Sequence, residues 1–330
     1  MKPLKYITII FMGAVILGLF SFIFFLKKPV KFQVVNQDTK ILKEEGGGGL
    51  LQYKENILFD SPYFIQTTKP DFFPIRNWSV SEPSLKEKAG IAILFSGEGQ
   101  EKILYQKDIE RKLPIASLTK LVTAMVALDI YNQEDIVYVS KNAVLTEGRA
   151  GDLKVNERLR VGDLLNLLLV ASSNDAATAL AEKIGEENFV NLMNEKVLEL
   201  GLKNTHFCNV HGLSTCDPHY STAYDLAQIS YFIFQNYPEI VDIASQKEIR
   251  FVSLDGIKHF ELNTNKLLDK ENVLGGKTGF TKEAGDSILL FLKPPEDLEG
   301  ILVVAVLGTD DRTIRANELI DWLRIAYLWK

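Results

Sequence analysis

Cysteine and histidine are scarce in this chain: two and four, respectively, in 330 residues. Two cysteines exclude a scaffold held by several bridges and leave room for at most one. An excess of basic charge is missing too. The 37 Lys and Arg stand against 43 Asp and Glu, a net charge of −6, which argues against nucleic acid as a partner. No internal repeat is visible, so solenoids and propellers are excluded. Long uncharged stretches are absent apart from residues 7–26.

That stretch, ITIIFMGAVILGLFSFIFFL, is about twenty residues long, and at roughly 1.5 Å per residue a helix of that length spans the ~30 Å hydrocarbon layer of a membrane. A cleaved signal peptide has a shorter apolar region ending in a small-x-small site. Here the run ends in Ile23-Phe24-Phe25-Leu26, bulky throughout. Residues 1–28 are therefore expected to form an uncleaved, single-pass anchor. Lysines flank both ends, so charge does not set its orientation. Residues 29–85 show no sustained period. They hold the joint Gly46-Gly47-Gly48-Gly49 and prolines at 62, 70, 74 and 83, but are too aromatic for a plain disordered linker. They read as a stem whose second half packs on the domain that follows.

Residues 86–330 form that domain, and the 46% apolar fraction of the chain suffices for a sizeable core. Ile91–Phe95 and Ile103–Tyr105, separated by Gly97 and Gly99, read as strand, turn and strand. The middle carries helical periodicity over 117–131, 161–171, 175–184, 187–200 and 222–234. Strand character returns at 290–292 and 301–307, and 312–328 is helical again. Strands at both ends with helices between them predict an α+β fold. Its antiparallel sheet joins the first and last strands, terminal helices cover it, and a mainly helical subdomain is inserted beside it, leaving a cleft between the two parts.

Chemistry concentrates at three short motifs. Ser117-x-x-Lys120 follows Pro114 where an apolar helical pattern begins. Residues three apart share a helix face, so Lys120 can reach the Ser117 hydroxyl. At a helix start the free N–H groups and positive dipole end favour a developing anion. Ser172-Ser173-Asn174 follows the apolar run 164–170. Gly276-Lys277-Thr278-Gly279-Phe280-Thr281 opens a strand. A fourth cluster, Cys208-x-x-His211 and Cys216-x-x-His219, has ligand-like spacing for zinc. The same cysteines can instead close a small loop as a disulfide or stay free.

The three motifs in this order resemble the D-alanyl-D-alanine carboxypeptidases, the low-molecular-mass penicillin-binding proteins. The resemblance runs from about residue 89 to the end and includes 113–120, 168–181, His211-Gly212-Leu213, 219–227, Asn263-Thr264-Asn265 and 275–285. It implies a β-lactamase/transpeptidase-like fold and a serine-type hydrolase that needs no cofactor or metal. Because His211 and His219 fall inside family-like stretches, a bridge or free thiols are favoured over zinc. Two departures stand out. No second β-domain and no C-terminal amphipathic anchor are expected, and Ser173 stands where members usually carry Gly or Ala.

By this resemblance Ser117 attacks the carbonyl of a D-Ala-D-Ala bond, and Lys120, held neutral by burial and by Lys277, takes its proton. Ser172 passes a proton to the leaving amine, and Asn174 holds Lys120 and the substrate amide. Backbone N–H groups of Ser117 and Phe280 form the oxyanion hole. Lys277, Thr278, Gly279 and Thr281 line the place of the terminal carboxylate, with Arg315 on the last helix as a further cation. The implied substrates are peptidoglycan stem peptides ending in D-Ala-D-Ala, with β-lactams as acylating inhibitors. The implied location is the bacterial cytoplasmic membrane, held by residues 7–26, with the domain on the extracytoplasmic side. Three rivals remain: an endopeptidase on cross-links, a β-lactamase and a wall-binding pseudoenzyme. For the β-lactamase, Glu187-Asn188-Phe189-Val190-Asn191 nearly matches a deacylating-water motif but reads as a helix start.

Overall fold

The computed structural model describes residues 74–148 and 150–329. The expected anchor and most of the stem lie outside them. Among the described residues no helix is long and apolar enough to cross a membrane.

The strands follow from their patterns. β1 is Ile75–Arg76, β2 Ala89–Phe95 and β3 Glu101–Lys107. The short β4 (Ile136–Tyr138) and β5 (Arg158–Arg160) pair with each other, as do β6 (Glu248–Val252) and β7 (Lys258–Leu262). β8 (Val273–Thr281), β9 (Gly285–Leu292) and β10 (Ile301–Thr309) follow, and β11 (Tyr327–Leu328) pairs with β1. The central sheet runs β3-β2-β10-β9-β8, all antiparallel, so both ends of the domain contribute strands. β2 is buried throughout and β10 nearly so, as their unbroken apolar runs require of strands covered on both faces.

The helices are α1 (Lys120–Ile130), α2 (Lys141–Leu145), α3 (Val161–Asn166), α4 (Asn174–Glu182), α5 (Glu186–Glu199), α6 (Ala223–Asn236), α7 (Pro238–Ser245) and α8 (Arg312–Ala326). One face of the sheet, with Ile91, Ile93, Phe291, Val303 and Ala305, joins the core of the helical middle. The other, with Ala92, Leu94, Leu290, Leu302 and Val304, packs on Ala316, Leu319, Ile320 and Leu323 of α8. Asp311 caps α8 by accepting from Thr313 N and Ile314 N.

Two predicted helices end differently from the sequence pattern. The last stops at Ala326 because Asn77 N donates to Ala326 O at 2.8 Å, and the chain turns into β11. The helix predicted over 161–171 changes at Leu167 to a π-helical turn that ends at Ser172 in a left-handed conformation (φ 61°). β4, β5, the β6–β7 hairpin and α7 are elements the periodicity did not mark. The 74–85 segment packs on α8. Leu85 is fully buried, Trp322 Nε1 donates to Ser81 O at 2.7 Å, and the Arg76 guanidinium lies 4.9 Å from the Trp322 ring centre.

Candidate active site

Ser117 sits in a 3₁₀ turn, Ala116–Thr119, that leads into α1. Ala116 holds a positive φ of 47°, unusual for a residue with a Cβ. It is kept there by buried Ile115 beside it and by Thr119 Oγ1, which donates to Ala116 O at 2.8 Å. The turn leaves the Ser117 side chain partly open to solvent, while Lys120, the first residue of α1, is completely buried. Lys120 Nζ donates to Ser117 Oγ at 2.8 Å, to Asn174 Oδ1 at 2.6 Å and to the His211 carbonyl at 2.9 Å. Burial, and then the Lys277 charge, push the Lys120 amine well below its ordinary value, against the opposing pull of Asp175. Once this amine gives up a proton it can accept from the Ser117 hydroxyl, which is the geometry a general base needs.

The second motif is aimed by the π-helical turn. Its left-handed end turns Ser172 toward the third motif, where Lys277 Nζ donates to Ser172 Oγ at 2.7 Å. Ser173 turns the other way: fully buried, it caps α4 by accepting from Ala176 N at 3.0 Å. The hydroxyl that departs from the usual small residue therefore serves the helix start and not the cleft. Asn174 is fixed at both ends of its amide, since its Nδ2 donates to Glu147 O at 2.6 Å.

The third motif lies on β8, an edge strand of the sheet. Lys277 is buried, and burial, then the Arg312 charge, lower its amine to about 7. Thr278 Oγ1 donates to Thr264 Oγ1 at 2.6 Å. Gly279 is required by close approach: a Cβ there would lie 2.9 Å from Ile115 O and 3.1 Å from Ser117 N. β8 is thus pressed against the turn that carries Ser117. The Phe280 side chain points outward, 63% exposed. Thr281 accepts from Ala284 N at 3.1 Å and helps hold the Glu283 carboxylate, which commits it to the β8–β9 turn.

The structure brings together Ser117, Lys120, Ser172, Asn174, Lys277, Thr278 and Gly279. Arg315 is differently employed. Its guanidinium is taken up by Asp310 (2.8 and 2.9 Å) and Glu318 (2.9 and 3.0 Å). Arg312 is the arginine at β8, donating to Gly279 O at 3.3 Å and to Asp286 Oδ1 at 2.9 Å. Both arginines lie in the first turn of α8. The pairing of Asp286 with Phe280 across β8 and β9 selects Arg312, and that register is invisible in sequence. Also missed were the acceptors supplied by main chain, His211 O and Glu147 O, for which no side-chain pattern exists. Cys208 and Cys216 are joined as a disulfide, which removes the thiolates a zinc site would use. Glu187 and Asn191 lie on the first turns of α5 and line a cavity of about 330 Å³ with Glu186, Val190 and Cys208.

Residues 77–305 match the family model described as D-alanyl-D-alanine carboxypeptidase. The chain is 37% identical over 230 residues to a Bacillus subtilis protein named D-alanyl-D-alanine carboxypeptidase DacF, covering 67% of this chain and 58% of that one, less than two thirds of its length. It is 32% identical over 253 residues to a D-alanyl-D-alanine endopeptidase of Pseudomonas aeruginosa, covering 73% of this chain and 79% of that one. Among solved structures, a D-alanyl-D-alanine carboxypeptidase from Mycobacterium tuberculosis superposes with a TM-score of 0.68 at 27% identity, covering 75% of this chain and 94% of the other.

Proposed function

The chain belongs to the D-alanyl-D-alanine carboxypeptidase family, and from that premise we propose that it removes the terminal D-alanine of peptidoglycan stem peptides through an acyl-enzyme on Ser117. The observation that carries this reading is the buried Lys120 amine, 2.8 Å from Ser117 Oγ and depressed by burial and Lys277. Lys120 accepts the hydroxyl proton as Ser117 Oγ bonds to the scissile carbonyl carbon. The oxyanion forms beside the Ser117 amide, at the β8 edge. The Ser172 hydroxyl, backed by Lys277 Nζ at 2.7 Å, donates to the departing amine as the C–N bond breaks, and the proton that Lys120 took passes to the Ser172 oxygen, which leaves Lys120 free to act as base again. D-Alanine leaves, and water, deprotonated by the same base, cleaves the ester. The terminal carboxylate meets Lys277, Thr278 and Arg312. Among the described residues β8 ends the sheet, and an extended peptide can add to it as a further strand.

β-Lactams are expected to acylate Ser117 by the same steps and to be released slowly. Residues 7–26 are proposed to tether the domain to the outer face of the cytoplasmic membrane, supported by their length and lack of charge. Retention of the full chain in the membrane pellet after alkaline washing is the expected result, and full release would remove the anchor.

The test is D-alanine release from a pentapeptide muropeptide by the full chain in detergent, beside Ser117→Ala. Release by the wild type alone is expected, and release by both would remove Ser117 from the mechanism. The relative named as an endopeptidase favours a second reading, cleavage of D-Ala-linked cross-links. Activity on cross-linked dimers but not on the pentapeptide would select it. Inactivity on both would leave a wall binder.

A further inference from the structure

The Cys208–Cys216 disulfide closes a loop that touches the nucleophile turn from several sides. From inside the loop, the His211 carbonyl accepts from Lys120 Nζ at 2.9 Å. The next residue, Gly212, has a φ of +86°, and its backbone packs so closely that a Cβ would fall 1.9 Å from Ala116 O. Val210 O accepts from Thr123 Oγ1 of α1 at 2.6 Å. Ser214 Oγ donates to Glu283 Oε2 at 2.9 Å, which ties the loop to the β8–β9 turn across the cleft.

Inside the loop Asn209 is the hub. Its Oδ1 accepts from Gly212 N at 2.7 Å, and its Nδ2 donates to Leu213 O at 2.8 Å and to Cys216 Sγ at 3.2 Å. A second path leaves the bridge through His219. Its Nδ1 accepts from Cys208 N at 3.3 Å and its Nε2 lies 2.8 Å from Thr119 Oγ1, which in turn donates to Ala116 O. Burial holds His219 down at about 4, so the ring stays neutral with Nε2 as donor. On this side Lys120 is met by main chain of the loop, the His211 carbonyl, while Asn174 holds it from the other. The loop's conformation therefore fixes one of the acceptors that position the Lys120 amine.

We propose that the Cys208–Cys216 bridge is a positioning element for Lys120, so that acylation at Ser117 depends on the oxidation state of the bridge while the fold does not. The proposal rests on the reading of Ser117 and Lys120 as nucleophile and base. Cys216 is exposed and Cys208 half-buried, so a small thiol can reach the bridge from outside. A thiolate of dithiothreitol attacks Cys216 Sγ, and the S–S bond breaks with Cys208 leaving as thiolate. The reagent's second thiol then closes on the mixed disulfide, frees Cys216 and leaves as a cyclic disulfide. Two electrons pass from the reagent to the bridge. With the loop released, His211 O drifts from Lys120 and water reaches the amine, which moves it back toward its ordinary value.

The experiment compares the full chain in detergent, oxidised, reduced with dithiothreitol and alkylated, and re-oxidised. The rate of acylation by a fluorescent penicillin is followed across pH. Reduction is expected to slow acylation by about ten- to a hundred-fold, the scale of a base displaced by about 1 Å. It is also expected to move the acidic limb of the pH–rate profile to higher pH, with both effects reversed on re-oxidation of unalkylated protein. If the bridge were merely stabilising, its reduction would lower the melting temperature and leave the limb where it was. Hydrogen–deuterium exchange supplies a readout that needs no chemistry at Ser117. Amides of 116–120 are expected to exchange faster on reduction, with β2 and β10 unchanged. Equal exchange and equal acylation in the reduced, folded protein would overturn the proposal. Absence of acylation in the oxidised protein would instead overturn the assigned function, and exchange would still decide the role of the bridge. Cys208→Ala/Cys216→Ala should reproduce the reduced protein, and reduction of the already folded chain covers failure of that variant to fold.

Discussion

The sheet meets two different environments. Against α8 it buries Leu94, Leu302, Val304 and Val306 on Leu319, Ile320 and Leu323, with side chains alternating as strand geometry dictates. At its β8 edge it buries the Lys277 amine, hydroxyls and a glycine pressed to the turn that carries Ser117. The first environment stabilises by removing hydrocarbon from water, at about 25 cal/mol per Å². The second desolvates two lysines, which costs stability and lowers their proton affinity. The contrast teaches that the reactive end of this sheet is held in shape by the inert one.

The sharpest break of that contrast is Ser117→Ala. It should lower penicillin acylation and D-alanine release by more than about 10³-fold, with an unchanged melting temperature. Leu94→Ala should do the opposite. It is expected to cost about 2–5 kcal/mol in urea unfolding and leave kcat/KM of the folded protein at low temperature near that of the wild type. Equal losses in both measurements for either variant would show that the two environments are not separable.

Lys277→Met sharpens the comparison by moving one environment toward the other. It should reduce kcat/KM by about 10²-fold while raising the melting temperature near pH 6, because the desolvated ammonium is gone. The sign follows from linkage. Lys277 sits at about 7 in the folded protein and near 10.4 when unfolded, so between these values the unfolded chain binds the extra proton. Wild-type stability therefore gains from rising pH across that window, and the advantage of Lys277→Met should shrink from about pH 7 upward. Melting temperatures of both proteins across pH check this. The same pH range should show kcat/KM falling as Lys277 loses the charge proposed to meet the substrate carboxylate. The smallest effects separate the two arginines. Arg312→Ala should raise KM by about ten-fold, and Arg315→Ala, whose partners are Asp310 and Glu318, should leave kinetics within error.

Much of the site could be read in the chain because it is local. Ser117 and Lys120 meet through helical spacing, and Ser172 and Asn174 follow an apolar run that ends in a turn. Sequence carries no mark of a partner that is main chain or that depends on strand register. Nothing in the pattern of 161–171 announces a π-helical turn, since its apolar residues fit either winding, yet that winding aims Ser172. Arg312 and Arg315 are equivalent by spacing, and the Asp286–Phe280 pairing across β8 and β9 separates them. The small sheets β4–β5 and β6–β7 carry exposed apolar residues such as Tyr138, Phe260 and Leu262, so alternation did not mark their buried face.

By itself the sequence determined the α+β class, the spacing that puts Ser117 and Lys120 on one side of a turn, and the apolar faces that drive the two layers together, because these rest on periodicities of a few residues. The tertiary structure alone decided that Lys120 is wholly desolvated and capped by the His211 carbonyl, that Cys208 and Cys216 close the loop carrying that carbonyl, and that Arg312 faces β8. Burial, main-chain acceptors and strand register arise only when segments distant in the chain are packed together, and those are the quantities that tune the base.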